Sequence, residues 1–347
     1  MFRLIISFAR MPLPPPTTRL LATLAAEGHL PPTQVAAIAA AETTRPFSLH
    51  YELRALLYLG VTLLAGGLGV LVYENRDTLG HTVLTGLMAA AMLACFWYAS
   101  RHRPAFTWGE APRTSIAADY LLLLGCLLFV GLEGYVQVQY GLFGQRYGLA
   151  TLLPALLFLP LAYRYDHRGV LGLGIAAVSA WVGVRTAPLA VLRGELFDSA
   201  ELALPALGLG LALVAAGLAA EHWRRKPHFA FTYLLAGVNL AEVGALWLAV
   251  ETADWTHGGG PALLWLLLAL GVGFGLVWYA RRTHSYVFLL LGVAYAYVAF
   301  TALGVLVVLL GGELALALWP LLLFYFPLTL VGIVLLFVNS KKILRLP

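Results

Sequence analysis

Five polar side chains lie within otherwise apolar stretches and are the residues best placed to do chemistry. Glu133, Gln137 and Tyr140 are spaced i, i+4 and i+7, so a helix carries them on one face. Asn239 and Glu242 are spaced i and i+3 on a second apolar stretch. A carboxyl among apolar residues must be protonated, hydrogen-bonded or next to a cation. The pattern indicates a binding site for a proton, a cation or a small solute, or else two acids that hold helices together.

The elements that carry these residues are long and apolar. Hydrophobic residues make up 61% of the 347 residues and charged residues 11%, against about 25% charged residues in soluble domains. A helix needs about 20 apolar residues to cross the hydrocarbon core of a bilayer. The sequence therefore predicts an all-α, polytopic transmembrane bundle of about ten spans. The predicted spans are 54–73, 82–99, 118–139, 149–165, 169–187, 201–221, 229–250, 261–280, 285–310 and 314–338.

The charged residues in the connecting segments predict the orientation of the bundle. Only four of the 22 Lys and Arg residues, Arg76, Arg146, Arg185 and Arg193, fall on predicted outer loops, and the other 18 fall on inner segments. Short cytoplasmic loops collect basic residues, so we expect a multi-pass protein of the bacterial inner membrane with both termini in the cytoplasm. Merging the fourth and fifth spans into one broken helix would give nine spans and lose this bias.

In this orientation the spans that carry Glu133 and Glu242 both run from the inner to the outer side. The two carboxyls then lie at similar depth. We expect them to point inward, toward each other or a shared polar cavity, with Gln137 and Asn239 nearby.

The segments outside the bundle are short. Residues 1–16 are predicted to be extended or disordered, and translation could start at Met1 or at Met11. Residues 17–50 are predicted to form a small cytoplasmic helical hairpin, in which Gly28 ends the first helix in the left-handed conformation. The transmembrane bundle occupies 51–340, and 341–347 form a basic cytoplasmic tail.

Two further patterns concern loops and helix packing. The first outer loop is dense in polar groups and is either one wall of an outer vestibule or a solvated turn; it contains Glu74, Asn75, Arg76 and Asp77. Two groups of glycines are predicted to allow close helix approach. They are Gly66, Gly67 and Gly69 in the first span, and Gly271, Gly273 and Gly275 in the eighth.

The sequence lacks the patterns of common enzymes and cofactor sites. There is no zinc-type His-Glu-x-x-His, P-loop, G-x-S-x-G elbow or kinase set. Cys95 and Cys126 lie inside apolar spans and are predicted to be packing thiols, with no disulfide and no metal. The net charge of +5 forms no basic stripe with aromatic residues, so we expect no nucleic-acid partner. We therefore expect no enzyme activity and no cofactor.

Several segments, in order, resemble a family of bacterial membrane proteins. They run from the N-terminal hairpin through the first span into the fifth, over roughly residues 17–185. They include Tyr58-Leu59-Gly60, Glu74-Asn75-Arg76-Asp77, Gly134-Tyr135-Val136-Gln137 and Leu159-Pro160-Leu161-Ala162-Tyr163. By these segments the chain resembles the family named domain of unknown function 2157. The resemblance implies a polytopic inner-membrane protein and no particular activity.

These observations favour a transporter-like or permease-like protein for a small solute or ion. The alternative is a membrane subunit or scaffold that docks membrane or cytoplasmic protein partners through its cytoplasmic hairpin and inner loops. A membrane enzyme acting on lipid is the third reading, but no cluster of acid, base and nucleophile supports it. In each case the lipid bilayer is the first partner.

Overall fold

The structure is a computed structural model that describes residues 21, 24–25, 27–43, 50–74, 80–112, 115–144, 146–187, 200–253, 260–310 and 313–344. Regular structure in these ranges is helical, and they contain no strand. Short 3-10 turns occur at Ala200–Leu202 and Pro227–Phe229. The α-helices are α1 (Pro32–Thr43), α2 (His50–Glu74), α3 (His81–Arg101), α4 (Ile116–Tyr140), α5 (Tyr147–Tyr165), α6 (Arg168–Thr186), α7 (Ala203–His222), α8 (Ala230–Glu251), α9 (Gly260–Thr283), α10 (Tyr286–Leu310), α11 (Glu313–Val338) and α12 (Ser340–Ile343).

Helices α2 to α11 coincide with the ten predicted spans. Over the described residues, α3 to α10 are eight helices long and apolar enough to cross a membrane. Helices α2 and α11 contain the shorter apolar segments Ala55–Leu71 and Phe324–Leu336. The all-helical, polytopic membrane fold is therefore confirmed, and about ten spans agree with it.

The turn between α5 and α6 explains why they are separate spans. Asp166 adopts the left-handed conformation, with φ 57°, and its backbone N–H bonds the carbonyl of Ala162. His167 then caps α6, because its Nδ1 accepts a hydrogen bond from the N–H of Val170 at 3.1 Å. The two helices pack closely against each other as an antiparallel pair. The nine-span alternative, with one broken helix, does not occur.

The closest helix packing occurs within four hairpins, α3–α4, α5–α6, α7–α8 and α9–α10. Each hairpin is joined by a loop predicted to face the cytoplasm. Contacts between residues 102–112, in the α3–α4 loop, and residues from the α5–α6 and α7–α8 turns place these three loops at one end of the bundle. We call this end the inner end and residues 102–112 the inner strap.

Glycines bring α7 and α8 into backbone contact. A Cβ added at Gly210 would overlap the backbone nitrogen of Ala241, and one at Gly237 would lie 2.7 Å from the backbone nitrogen of Val214. At Gly244 the nearest backbone nitrogen would be 2.6 Å away. A side chain is excluded at all three positions, as in other membrane helices joined through small residues.

Most of the glycines predicted to mediate close packing do not contact another described helix. A Cβ at Gly273 would lie 3.1 Å from Ala296, so this glycine does adjoin α10. A Cβ at any of the others would meet no described atom within 4 Å. Within the described part of the chain, the close-packing prediction is therefore wrong for Gly66, Gly67, Gly69, Gly271 and Gly275.

Both ends of the chain are described in part. Gly28 has φ 74°, as predicted for a helix-ending glycine, and the N–H of His29 bonds the carbonyl of Leu24 at 2.9 Å. The first residues, 1–20, lie outside the described part. At the other end, Leu344 is fully buried, and His284 Nδ1 donates to its carbonyl oxygen at 2.6 Å.

Candidate functional site

Glu242 is a fully buried carboxyl within α8. Its exposed fraction is 0%, and neither carboxyl oxygen has a hydrogen-bond partner among the described residues. One turn away, the Tyr295 hydroxyl donates to Asn239 Oδ1 at 2.7 Å, and Asn239 Nδ2 donates to the carbonyl of Leu235 at 2.6 Å. Glu242 lies three residues after Asn239 on α8, and Tyr295 belongs to α10. The structure thus places Asn239, Glu242 and Tyr295 in one polar site between α8 and α10.

Glu133 is a second buried carboxyl, on α4. It is 9% exposed, and Oε1 has no hydrogen-bond partner in the described part of the chain. Glu242 accepts no such bond, so the two carboxyls are not bonded to each other. Helix α4 packs mainly on α3 and α2, whereas α8 packs mainly on α7 and α9. Glu133 and Glu242 therefore have different surroundings.

Gln137 and Tyr140 lie near the outer end of α4. The Gln137 amide donates to the carbonyl of Gly144 at 3.1 Å and accepts from the N–H of Phe143 at 2.8 Å. Gln137 therefore holds the turn after α4 rather than facing Glu133. Tyr140 is 52% exposed.

The polar first outer loop is only partly described. Glu74 is the last residue of α2 and is exposed. Asn75, Arg76 and Asp77 lie outside the described residues, so the outer vestibule stays a prediction.

A charged cluster, which we call the inner charge cluster, consists of Asp166, Lys226 and His228. Asp166 Oδ1 lies 2.8 Å from Lys226 Nζ and 2.6 Å from His228 Nε2, and Oδ2 accepts from the N–H of Ala111 at 2.6 Å. The Lys226 and Asp166 side chains are 1% and 6% exposed. Burial acts to raise the pKa of Asp166, but the bonds from Lys226, Ala111 and His228 outweigh it. The pKa of Asp166 therefore lies below its ordinary value.

Three loops position this cluster. Lys226 has φ 52°, a left-handed conformation that is unusual for a long side chain. Its backbone N–H donates to the carbonyl of Trp108 in the inner strap at 2.7 Å, and its ammonium lies 5.5 Å from the centre of the Phe106 ring. Arg225 covers the Trp108 ring at 5.1 Å. The strap is thereby fixed over the Asp166 turn.

Sequence reasoning missed the inner charge cluster. Asp166 and Lys226 are far apart in sequence, and in the sequence Arg224, Arg225 and Lys226 indicate only the orientation, as three of the 18 basic residues on inner segments. The length of the turn that contains Asp166 is one available signal. Because this turn is short, Asp166 must lie at the inner end of the bundle, and Arg224, Arg225 and Lys226 are predicted to lie at the same end.

A polar cavity of about 410 Å³ adjoins the cluster at the inner end. We call it the inner cavity. Its walls come from α2, the inner strap, the start of α4, the α5–α6 turn and the start of α8. It is lined by Tyr58, Pro104, Glu110, Ala111, Pro112, Asp119, Tyr165, Asp166, His167, Arg168, Gly169, Phe231 and Thr232.

A second cavity, of about 430 Å³, lies between the outer halves of α8, α9 and α10 and the Phe326 side chain of α11, and it is lined almost entirely by apolar side chains. Its polar residues are Tyr297 and Thr301; the latter bonds the Tyr325 hydroxyl at 2.7 Å. Glu133 and Glu242 line neither this cavity nor the inner cavity.

The described residues offer no metal site. They contain no group of three or more His, Cys, Asp or Glu side chains that could hold a metal ion. Cys95 and Cys126 are buried free thiols in α3 and α4.

The comparison with protein families supports the resemblance found in the sequence. Residues 22–171 match the family described as “Predicted membrane protein (DUF2157)”. The matched segment includes the inner strap, Asp166 and every residue lining the inner cavity except Phe231 and Thr232. It does not include Glu242. Comparisons with curated proteins and with solved structures gave no match.

Proposed function

We propose that this chain is a transporter-like protein of the bacterial inner membrane that moves a small solute or ion and exchanges a proton or cation at Glu242. The observation that supports the proposal is the environment of Glu242. The side chain is fully buried within a membrane-spanning helix, and neither carboxyl oxygen is hydrogen-bonded to a described residue. We propose no catalytic activity.

Burial of the Glu242 carboxyl within the membrane has an energetic cost. An ionised carboxylate in the membrane interior costs several kcal/mol. Even a neutral acid loses about 1–3 kcal/mol when its polar atoms are buried without partners. An acid that only held helices together would regain this energy through hydrogen bonds. Glu242 forms no hydrogen bond with a described group, so its burial cost is not offset in this way. This favours a role for Glu242 in the exchange of a proton or cation.

The neighbouring groups suit such an exchange. Asn239 and Tyr295 are neutral, and their mutual hydrogen bond fixes an amide and a hydroxyl one helical turn from Glu242. Oxygen atoms of this kind are ligands for hard cations. A cation that enters the site would therefore meet one carboxylate and neutral oxygens, and it would displace the proton of Glu242.

The experiment measures proton movement in proteoliposomes that contain the purified full chain and an internal pH dye. Gradients of Na⁺, K⁺ or a small organic ammonium ion are imposed in turn. At least one gradient should drive protons across the wild-type membrane. The Glu242→Gln variant, which keeps the shape but cannot ionise, should lose this movement.

A matched control is Glu201→Gln, because Glu201 is exposed in the short 3-10 turn before α7. Its proton movement should equal that of the wild type. Retained coupling in Glu242→Gln, or no coupled movement in the wild type with any of the gradients, would contradict the proposal. The second result would favour the alternative, a membrane subunit or scaffold that docks through its cytoplasmic hairpin and inner loops.

A further inference from the structure

Two of the four basic residues on predicted outer loops line one cavity. Arg146 immediately precedes α5, and Arg185 lies in the last turn of α6. The turn that joins α5 to α6 is at the inner end, so both arginines lie at the opposite, outer end of this hairpin. They line a cavity of about 580 Å³, which we call the arginine cavity. This volume falls within the range of small-molecule pockets.

The positive charge of the arginine cavity is not balanced by a described acid. No Asp or Glu is among its described lining residues. Neither Arg146 nor Arg185 takes part in the salt bridges that the described residues form. Both arginines are exposed, so their guanidinium groups are accessible to a ligand. A guanidinium binds a phosphate through two parallel hydrogen bonds, and two guanidinium groups in one cavity favour an anion.

Aromatic side chains place the arginine cavity at the depth of the lipid headgroups. Trp181 and Tyr147 line it beside the arginines. A Cβ at Gly148 would lie 3.8 Å from Cδ1 of Trp181, so the indole ring packs beside the start of α5. Trp and Tyr are enriched at the membrane–water interface, where one side of the ring is apolar and the other is hydrated. A ligand in this cavity is therefore in contact with the bilayer.

An apolar surface continues from the cavity along α5. Leu149 lines the cavity, and Leu153 and Leu156 follow it at i+4 and i+7, which is one face of the helix. The three side chains are exposed, so no described helix covers this face. An acyl chain that leaves the cavity can pack along these leucines toward the middle of the membrane.

We propose that the arginine cavity binds an anionic phospholipid of the outer leaflet. The phosphodiester lies between Arg146 and Arg185, and one acyl chain follows Leu149, Leu153 and Leu156. A zwitterionic lipid fits less well, because its headgroup would bring a second cation to a cavity that already holds two. The site does not depend on exchange at Glu242, which does not line this cavity.

Arg185 also has a local structural role, because a positive charge in the last turn of α6 interacts favourably with the helix dipole. The test must therefore separate lipid recognition from helix stability. Arg185→Lys keeps the positive charge at this helix end, but an ammonium does not form the two parallel bonds of a guanidinium. A binding measurement and a melting temperature on the same sample distinguish the two roles.

The experiment measures site-specific photolabelling of the purified full chain in phosphatidylcholine nanodiscs. The probe is phosphatidylglycerol with a diazirine near the glycerol end of one acyl chain, and peptide mass spectrometry maps the label. Labelling of residues 146–156 should saturate as the mole fraction of the probe rises. Unlabelled phosphatidylglycerol should displace the probe. The same amount of added phosphatidylcholine, or of the water-soluble headgroup glycerophosphoglycerol, should not displace it.

The variants test the two guanidinium groups. The double variant Arg146→Gln/Arg185→Gln should need an at least about tenfold higher mole fraction for half-saturation, which corresponds to about 1.4 kcal/mol. Arg185→Lys should need a several-fold higher one. Arg281→Gln is the matched control, because Arg281 is also exposed in the last turn of a spanning helix but at the predicted inner end. Its labelling at residues 146–156 should equal that of the wild type.

The inference is overturned if labelling of residues 146–156 does not saturate, or if phosphatidylcholine displaces the probe as well as phosphatidylglycerol does. Equal displacement by glycerophosphoglycerol would also overturn it, because the site would then recognise a free phosphodiester rather than a lipid. So would wild-type labelling in the double variant or in Arg185→Lys at an unchanged melting temperature. None of these results bears on proton movement at Glu242, so the two proposals fail separately.

Discussion

At the scale of single residues, the Asp166 carboxylate depends on its partners. A buried ion pair that loses one member leaves an uncompensated charge, at a cost of about 3–5 kcal/mol. Lys226→Met should therefore lower the melting temperature strongly. Arg168→Gln is the control, because Arg168 and Glu110 are exposed and such pairs contribute about 1 kcal/mol or less. A fluorogenic thiol dye measures the unfolding, since Cys95 and Cys126 are both buried in the folded state.

Equal melting temperatures for the two variants would show that the Lys226 ammonium is not needed in the fold. The double variant Lys226→Met/Asp166→Asn should lose less in melting temperature than Lys226→Met alone, because it removes the Asp166 and Lys226 charges together.

The same carboxylate predicts a dependence of stability on pH. The pKa of Asp166 is lower in the folded chain than its ordinary value of 3.8. Its contribution to stability is therefore fully present above that value and is lost as the pH falls through the lower, folded pKa. Melting temperatures measured below about pH 3.8 should fall less in Asp166→Asn than in the wild type. An identical acid profile for both proteins would contradict the lowered pKa.

The sequence predicts some of the buried charged residues but not others. Hydropathy singles out Glu133 and Glu242, because a carboxyl in an apolar span is conspicuous in the sequence, and both are buried in the structure. Lys226 and Asp166 lie in charged loops, where exposure is the usual state. Only the tertiary contact between the inner strap and two turns buries them, and no local pattern encodes that contact.

At the scale of helices, the α7–α8 pair gives the most direct test of packing. Gly210→Ala would force a methyl group against the α8 backbone, and overpacking of this kind costs about 1–3 kcal/mol or more. Gly208→Ala is a matched control in the same helix, because a Cβ there meets no described atom within 4 Å. The thiol-dye melting temperature should fall for Gly210→Ala and stay near the wild-type value for Gly208→Ala.

If Gly210→Ala had the same melting temperature as Gly208→Ala, the close contact between α7 and α8 would be contradicted.

The positions of these glycines could not be recognised as important from the sequence alone. A group such as Gly66-Gly67-Leu68-Gly69 is conspicuous, whereas Gly210 and Gly237 are isolated and become important only because their helices cross there. Hydropathy predicts helix positions because each span is continuous in sequence, but it does not predict which faces meet.

At the scale of the whole molecule, the positions of the loops bear on the predicted orientation. The inner strap and the α5–α6 and α7–α8 turns contact one another, so they share one side of the membrane. The basic residues predict that this side faces the cytoplasm. A reporter fused after the C-terminus should be active in the cytoplasm, and one fused after Ala253, in the turn following α8, should be active only in the periplasm. The reverse pattern would contradict the orientation.

The central claim for the whole molecule is that Glu242 is protonated when no cation is bound and releases its proton when a cation binds. Infrared difference spectroscopy of the reconstituted chain measures this directly, through the carbonyl stretch of a protonated carboxyl. We predict that perfusion with the cation that drives proton movement removes one such band in the wild type, and that the band change is absent in Glu242→Gln. A wild-type spectrum without this change, or the same change in Glu242→Gln, would contradict the claim.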